Sequence, residues 1–493
     1  MKKRLLKELI IRKKLLDQFT TNVCIKMKKK PVKLIVSALA LSSVLVTSCE
    51  AGANLLNRNF VYANFESYMS PNLQSELRQT YNNLQFDAFA SNEKALTNFK
   101  NKTYTIGTLS TYAVLDLIHQ GILQKLDWSK FNLSYLNDQD QEVPIHNAND
   151  ALGLFTDEVQ EILTSYSIDN KPVNLLDYAV PYFFQSLVFA YRGAKIDSLV
   201  DHQSSWYDIL STISSEQYRD RFNNNKLGIV EDERSLYSIA NLIKTTKENQ
   251  TVTVNPPPSQ LTLSDFYNVY QEIADAGINY RNLATNNRST ALLNSDSSVI
   301  LNNLDSGRID GGIMYNGDAI FSAQGGEFHA EKDDPLKPKS EDFHIVTPVN
   351  TPLALDLIVV NKLNIEQFPG FLDQAYQVIK KVGLEGVNET LADFQAVLTE
   401  KPETIYKNGP LENFNYVQYT SPLKKISDPE NGLVAVEGWL EVADQEELSN
   451  NINSAYFIQD IKNVTNFIEA PLNDIQKASL VNAFARFKNN WLR

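Results

Sequence analysis

Thr103-Tyr104-Thr105-Ile106-Gly107-Thr108, followed through Ser110-Thr111 by Tyr112-Ala113-Val114-Leu115-Asp116-Leu117-Ile118-His119-Gln120-Gly121, reads as a strand that turns directly into a helix. The first run is short and β-prone; the second repeats apolar residues at helical spacing, and Gly121 ends it. The pattern recurs upstream. Phe60 to Ala63 starts as a strand, Ser70-Pro71 opens a helix through Leu73, Leu77 and Tyr81, and Leu84 to Phe89 is a strand again. Such alternation predicts an α/β fold with largely parallel sheets. Val188 to Tyr191 and Leu357 to Val360 are apolar strands, far apart in sequence, that could pass between two lobes. Asn137 to Asp150, Ala330 to Glu341 and the stiff Asn255-Pro256-Pro257-Pro258-Ser259 insert are expected to be surface loops.

The 493 residues, 43 % apolar and 10 % aromatic, suffice for two sizeable cores. The net charge of −13 is unevenly spread: residues 1–48 hold 12 Lys/Arg against 2 acids, which leaves 34 against 57 and a charge of −23 for residues 49–493. So acidic a body repels nucleic-acid phosphates and anionic headgroups and concentrates cations near a carboxylate-lined cleft, although solubility alone also accounts for it. Both cysteines, Cys24 and Cys49, lie in the first tenth of the chain, which excludes disulfides, zinc-thiolate sites and a cysteine nucleophile from the body.

Met27-Lys28-Lys29-Lys30-Pro31-Val32-Lys33 precedes a largely apolar run from Leu34 to Val46, the order of a secretory signal. A run of about 13 residues is short for a roughly 30 Å hydrocarbon layer, so cleavage is expected rather than a retained span. Val46-Thr47-Ser48-Cys49 resembles the bacterial lipobox, which implies a diacylglycerol thioether on Cys49. At roughly 0.8 kcal/mol per buried methylene, two or more acyl chains anchor a protein stably to a membrane face. An ordinary signal peptide with an incidental cysteine is the alternative. Residues 1–26 are either an extension upstream of the true initiator Met27 or a basic helix on the inner membrane face; residues 49–59 form a polar tether.

A cleft for a stretched organic cation needs carboxylates for its ammonium groups and aromatic faces along its stem. The candidates are Phe65 and Tyr68 after the first strand, Ser110, Thr111 and Tyr112 at a strand-to-helix turn, the Glu231-Asp232-Glu233 run, Tyr315 and Asp356, each at or just beyond a plausible strand end. Each has a plainer reading. Phe65, Tyr68 and Tyr315 suit core packing, Ser110 and Thr111 suit a helix cap, and the acidic run suits a solvated helix start. Asp356 stands apart, because it interrupts the apolar run Leu353-Ala354-Leu355-Asp356-Leu357-Ile358-Val359-Val360, where a buried carboxylate needs a partner: a ligand ammonium, or an internal Arg.

The order Asn64-Phe65-x-x-Tyr68, Ser110-Thr111-Tyr112 through Gly121-Ile122-Leu123-Gln124-Lys125-Leu126-Asp127, Pro181-Tyr182, Asp232-Glu233-Arg234, Ile313-Met314-Tyr315-Asn316-Gly317-Asp318-Ala319, Asp356 and Tyr419-Thr420-Ser421-Pro422 resembles the bacterial spermidine/putrescine-binding proteins, over roughly residues 58–425. The resemblance implies a two-lobed, periplasmic-binding-protein-like (type II) α/β fold with crossover strands. On that basis residues 60–185 plus 357–420 are expected to form one lobe, and 186–356 plus 421–493 the other. It also implies a polyamine ligand, no cofactor, no metal and no catalytic residue, with a membrane permease and its ATPase as partners. By position it places Phe65, Tyr68, Ser110, Thr111, Tyr112, Asp232, Tyr315, Asp356 and Tyr419 at the ligand. Two departures bear on ligand length: Ser235 stands where the family's spermidine binders have a Glu, and Ala354 where they have a second Trp. Glu231, Glu233 or Asp318 could replace the missing charge.

No phosphate-binding glycine loop ending in Lys, HExxH or Gly-x-Ser-x-Gly occurs, and the five histidines are scattered, which argues against an enzyme. A carboxylate-pair glycosidase stays open because two acids have no fixed spacing. Closer rivals are a binder of sugar or ferric ion on the same fold and a surface adhesin, which would satisfy Asp356 internally.

Overall fold

The computed structural model describes residues 59–136, 141–168, 170–252, 261–279, 291–325, 343–390, 392–393, 408–442 and 444–492, which all fall within one compact unit, Asn54–Arg493. The signal region, Cys49, the tether up to residue 58, the Pro256-Pro257-Pro258 insert and the 330–341 stretch lie outside the described residues.

The first lobe opens with three strand-helix units: β1 (Phe60–Phe65) and α1 (Pro71–Thr80), β2 (Leu84–Phe89) and α2 (Asn92–Lys100), β3 (Ile106–Ser110) and α3 (Thr111–His119). Local chemistry sets the breaks. The Ser70 side chain accepts from the Asn72 amide with Pro71 in the first turn, Ser91 caps α2, and Gly121 at φ +68° takes the left-handed conformation that closes α3. β1 pairs in parallel with both β2 and β3.

β4 (Ala179–Arg192) is 14 residues long and buried throughout. It joins the two halves: Ser186 pairs with Leu353, and the next residue, Leu187, pairs with Tyr315 of the second half. That half contains β5 (Leu227–Val230), α4 (Glu233–Lys247), α5 (Leu263–Asp275), β6 (Leu292–Asn294), α6 (Ser297–Asp305), β7 (Gly311–Tyr315), α7 (Asn316–Ala323) and β8 (Phe343–Val346). β9 (Leu353–Val360) then returns to the first lobe, antiparallel to both β4 and β3. The strand order is β6-β5-β7-β4-β9-β3-β1-β2, with β8 also on β4. Parallel strands thus form the body of each lobe, and antiparallel strands form the crossings.

The last helices, α8 (Gly409–Val417), α9 (Glu446–Tyr456) and α10 (Asp474–Phe487), divide between the lobes: α8 packs on α1, α9 on β8 and α7, and α10 on α4 and α5. Three expectations need correction. Residues 353–356 already pair within the first lobe, so the return crossing precedes Leu353. Residues 421–493 do not stay in the second lobe: the Thr156 amide donates to the Pro422 carbonyl, and the Asp460 amide to Glu158. Within the expected 137–150 loop, Glu142–Ile145 pairs with Leu133–Leu136 as a hairpin, because Val143 and Ile145 alternate as a strand requires.

Candidate functional site

A cleft of about 680 Å³ opens at the carboxyl ends of β1, β3, β5 and β7, where open α/β sheets place their ligands. Phe65, Tyr68, Ser110, Thr111, Tyr112, Asp232, Ser235, Tyr315, Asp318, Asp356 and Tyr419 all border it. Glu231 and Glu233 do not. Glu231 pairs with Lys488, and Glu233 lies in the first turn of α4, where burial foremost and neighbouring Asp232 next push its pKa up to about 7.

Asp356 is the centre of the arrangement. Its Oδ1 accepts from Ser110 Oγ at 2.7 Å, and its Oδ2 accepts from Tyr68 Oη and Gln185 Nε2, each at 2.7 Å. The β9–β4 register shifts between Asp356 and Leu357, an irregularity of the kind that re-aims a side chain beside a site. Among the described residues no Arg is its partner, contrary to the internal alternative. All three donors are neutral, so the geometry is satisfied while the charge is not, and burial raises its pKa against the opposing effect of these bonds.

Several expected contacts are already in use. Ser110 holds the N-cap position of α3 without a side-chain cap bond, because its hydroxyl goes to Asp356. Thr111 Oγ1 donates to the Leu355 carbonyl at 2.9 Å. Asp232 caps α4 through the Ser235 amide at 2.7 Å, and Ser235 Oγ shares a 3.1 Å hydrogen bond with Tyr315 Oη. One face of Tyr112 is covered by Arg234, whose Cζ lies 3.6 Å from the ring centroid.

The remaining aromatics form a wall. Tyr68 lies 5.4 Å from Tyr419 and 5.6 Å from Phe65, and Tyr315 meets Tyr419 edge to face at 6.4 Å. Tyr419 Oη donates to Asp318 Oδ2 at 3.0 Å, and burial, more than any charge, pushes Asp318 up to about 7. Gly317 makes this approach possible: a Cβ there would stand 1.8 Å from the Tyr419 ring.

Among the described residues, eight carboxylates border the cleft against one basic side chain, Arg234. Several of them, including Glu93, Asp232 and Asp318, serve helix starts, whose dipoles favour negative charge. Asp356 lies on a strand and has no such account. Reading the sequence missed Gln185, Glu93, Arg234, Glu412 and Glu469. Gln185 carries the same signal as Asp356, a polar residue within an apolar strand; Arg234 directly follows Asp232; Glu412 and Glu469 carry no local signal.

The profile of the hypothetical lipoproteins of the MG045 family matches residues 25–442. The chain belongs to the MG045 lipoprotein family. No curated protein sequence matches this lipoprotein. Among solved structures, it is similar to a putative spermidine/putrescine ABC transporter from Listeria monocytogenes, at 16 % identity and TM-score 0.51 over 88 % of this chain and 99 % of that one. A second is the spermidine/putrescine ABC transporter substrate-binding protein PotD from Streptococcus pneumoniae, at 18 % identity and TM-score 0.49, over 88 % and 99 %. At such identity the first likeness establishes the fold alone, and with the strand order above it makes this lipoprotein a two-lobed, periplasmic-binding-protein-like α/β protein. Among the described residues no helix is long and apolar enough to cross a membrane.

Proposed function

We propose that this lipoprotein is the extracytoplasmic substrate-binding component of an ABC importer, lipid-anchored through Cys49, and that it captures a linear polyamine of the putrescine/spermidine class between its lobes without catalysing a reaction. A permease and its ATPase are the partners on this reading. The observation that carries it is Asp356: a buried carboxylate, oriented by three neutral donors and without a counter-ion among the described residues, beside the ring wall of Tyr68, Tyr419 and Tyr315. A buried charge without a partner is unfavourable, and an ammonium that arrives there recovers the Coulomb energy at once. Asp318, hydrogen-bonded to Tyr419 of that wall, adds a carboxylate beside it, and the rings supply the π faces. The collinear order of residues and the Listeria relative's description point the same way.

One observation favours the adhesin reading. Both Asp356 oxygens are hydrogen-bonded within the chain, as a site without ligand would require. Melting curves of the full chain in detergent separate the two. Putrescine or spermidine is expected to raise the melting temperature, by an amount equivalent to about 2.7 kcal/mol at a hundredfold excess over Kd. A rise with mannitol or ferric citrate in place of the amines reassigns the solute, and no rise with any of them favours the adhesin.

A further inference from the structure

The departure at Ser235 leaves a vacant role for a second carboxylate. The side of the cleft where the family's aspartate would place it is already neutralised. Arg234 reaches from α4 in the second lobe onto Tyr112 of the first, with its Nε 3.6 Å from Glu93 and its Nη1 3.8 Å from Glu469, and it donates to the Ala470 carbonyl at 3.2 Å. It is 6 % exposed. Tyr112, Glu93, Glu469 and Asp232 are what an incoming ammonium would use, and they surround the chain's own cation instead. Burial foremost pushes Glu469 well above the ordinary carboxylate range and raises Asp232, and the guanidinium is the cation that these groups already face.

The opposite arm differs. Glu412, in the first turn of α8, is 4 % exposed and borders the cleft. Its Oε1 accepts from Ser70 Oγ at 2.6 Å and from Asn72 Nδ2 at 2.9 Å, which ties α8 to the start of α1. Its Oε2 is buried and has no hydrogen-bond partner among the described residues. A buried carboxylate oxygen without a donor is costly, and an ammonium, with three N–H groups and no acceptor, is the complementary group. Ser70 follows two positions after Tyr68, whose hydroxyl holds Asp356, so the two carboxylates share one support.

Resting on the polyamine reading, we propose that the ligand spans Asp356 and Glu412, with Glu412 as the second ammonium site, and that Arg234 closes the Asp232 arm and limits the ligand to a short diamine. Calorimetry of putrescine binding to the full chain in detergent tests this. Glu412→Gln preserves an acceptor for Ser70 and Asn72 and is expected to weaken binding about tenfold or more, while Asp232→Asn keeps the α4 cap and changes it by less than about twofold. The reverse pattern overturns the assignment. If Glu412→Gln does not melt cooperatively, Arg234→Gln decides. Opening that arm is expected to tighten spermidine by about fivefold or more and leave putrescine within about twofold, and loss of putrescine binding overturns the proposal. An unsubstituted chain that binds no amine overturns the polyamine reading itself, and the assignment with it.

Discussion

Asp356 shows how far a single residue can be read. Its position inside an apolar strand announced a buried carboxylate, and the fold added three neutral donors and, among the described residues, no cation. Gln185 sits in β4 under the same rule and was as legible, yet its role depends on the β4–β9 register, which sets it opposite Ala354, two residues before Asp356, within reach of the carboxylate. Asp356→Asn is expected to weaken polyamine binding by about an order of magnitude or more, because the amide removes the charge an ammonium pairs with. The unliganded melting temperature should stay the same or rise, since Tyr68 and Gln185 can turn toward an amide and a buried charge is lost. Calorimetry paired with a melting curve checks both; unchanged affinity would remove Asp356 from the site.

Among the elements, α7 shows how tightly the site depends on backbone. Asn316 is fully buried, and its side chain donates to Thr420 Oγ1 and the Ala455 carbonyl, which fixes the helix start against the segment that carries Tyr419. Gly317 then lets the Tyr419 ring lie against the first turn. Gly317→Ala is expected to push that ring away and break the Tyr419–Asp318 bond, at a cost of about 1–3 kcal/mol from overpacking, with a parallel loss of amine affinity. Melting and calorimetry report the two effects separately. An alanine variant that melts and binds like the parent would show that the ring moves aside freely.

Over the whole molecule the deciding quantity is electrostatic. Asp318, raised to about 7 from an ordinary value of 3.8, is largely protonated in the free protein at pH 6, whereas alkylammonium groups titrate near 10.4. A diamine held at Asp356 in the same cleft favours the ionised form of Asp318, so binding should release a proton at pH 6 to 7 and tighten as pH rises from about 5.5 to 8. The sign for stability is opposite. Between about 4 and 7 the folded state binds the extra proton, so the unliganded protein should lose stability as pH rises through that window. Binding enthalpies compared in phosphate and Tris at pH 6.5 check the proton release; identical enthalpies would show that the bound amine does not act on Asp318.

The sequence by itself determined the alternation of strand and helix, the apolar character of the strands β4 and β9, the sharp charge difference between the first 48 residues and the body, and several polar and aromatic residues that border the cleft, because periodicity, caps and breakers are local properties of the chain. The tertiary structure alone decided which of those residues are free. Ser110, Thr111, Tyr112 and Asp232 were identified by position, yet their polar atoms or ring faces are engaged by Asp356, Leu355, Arg234 and the α4 cap respectively. Glu412 and Glu469 lie more than 50 residues beyond Asp356 and carry no pattern of their own. They reach the cleft only because α8 docks on α1 and the C-terminal segment returns to the first lobe, and long-range packing of that kind leaves no periodic trace in a sequence.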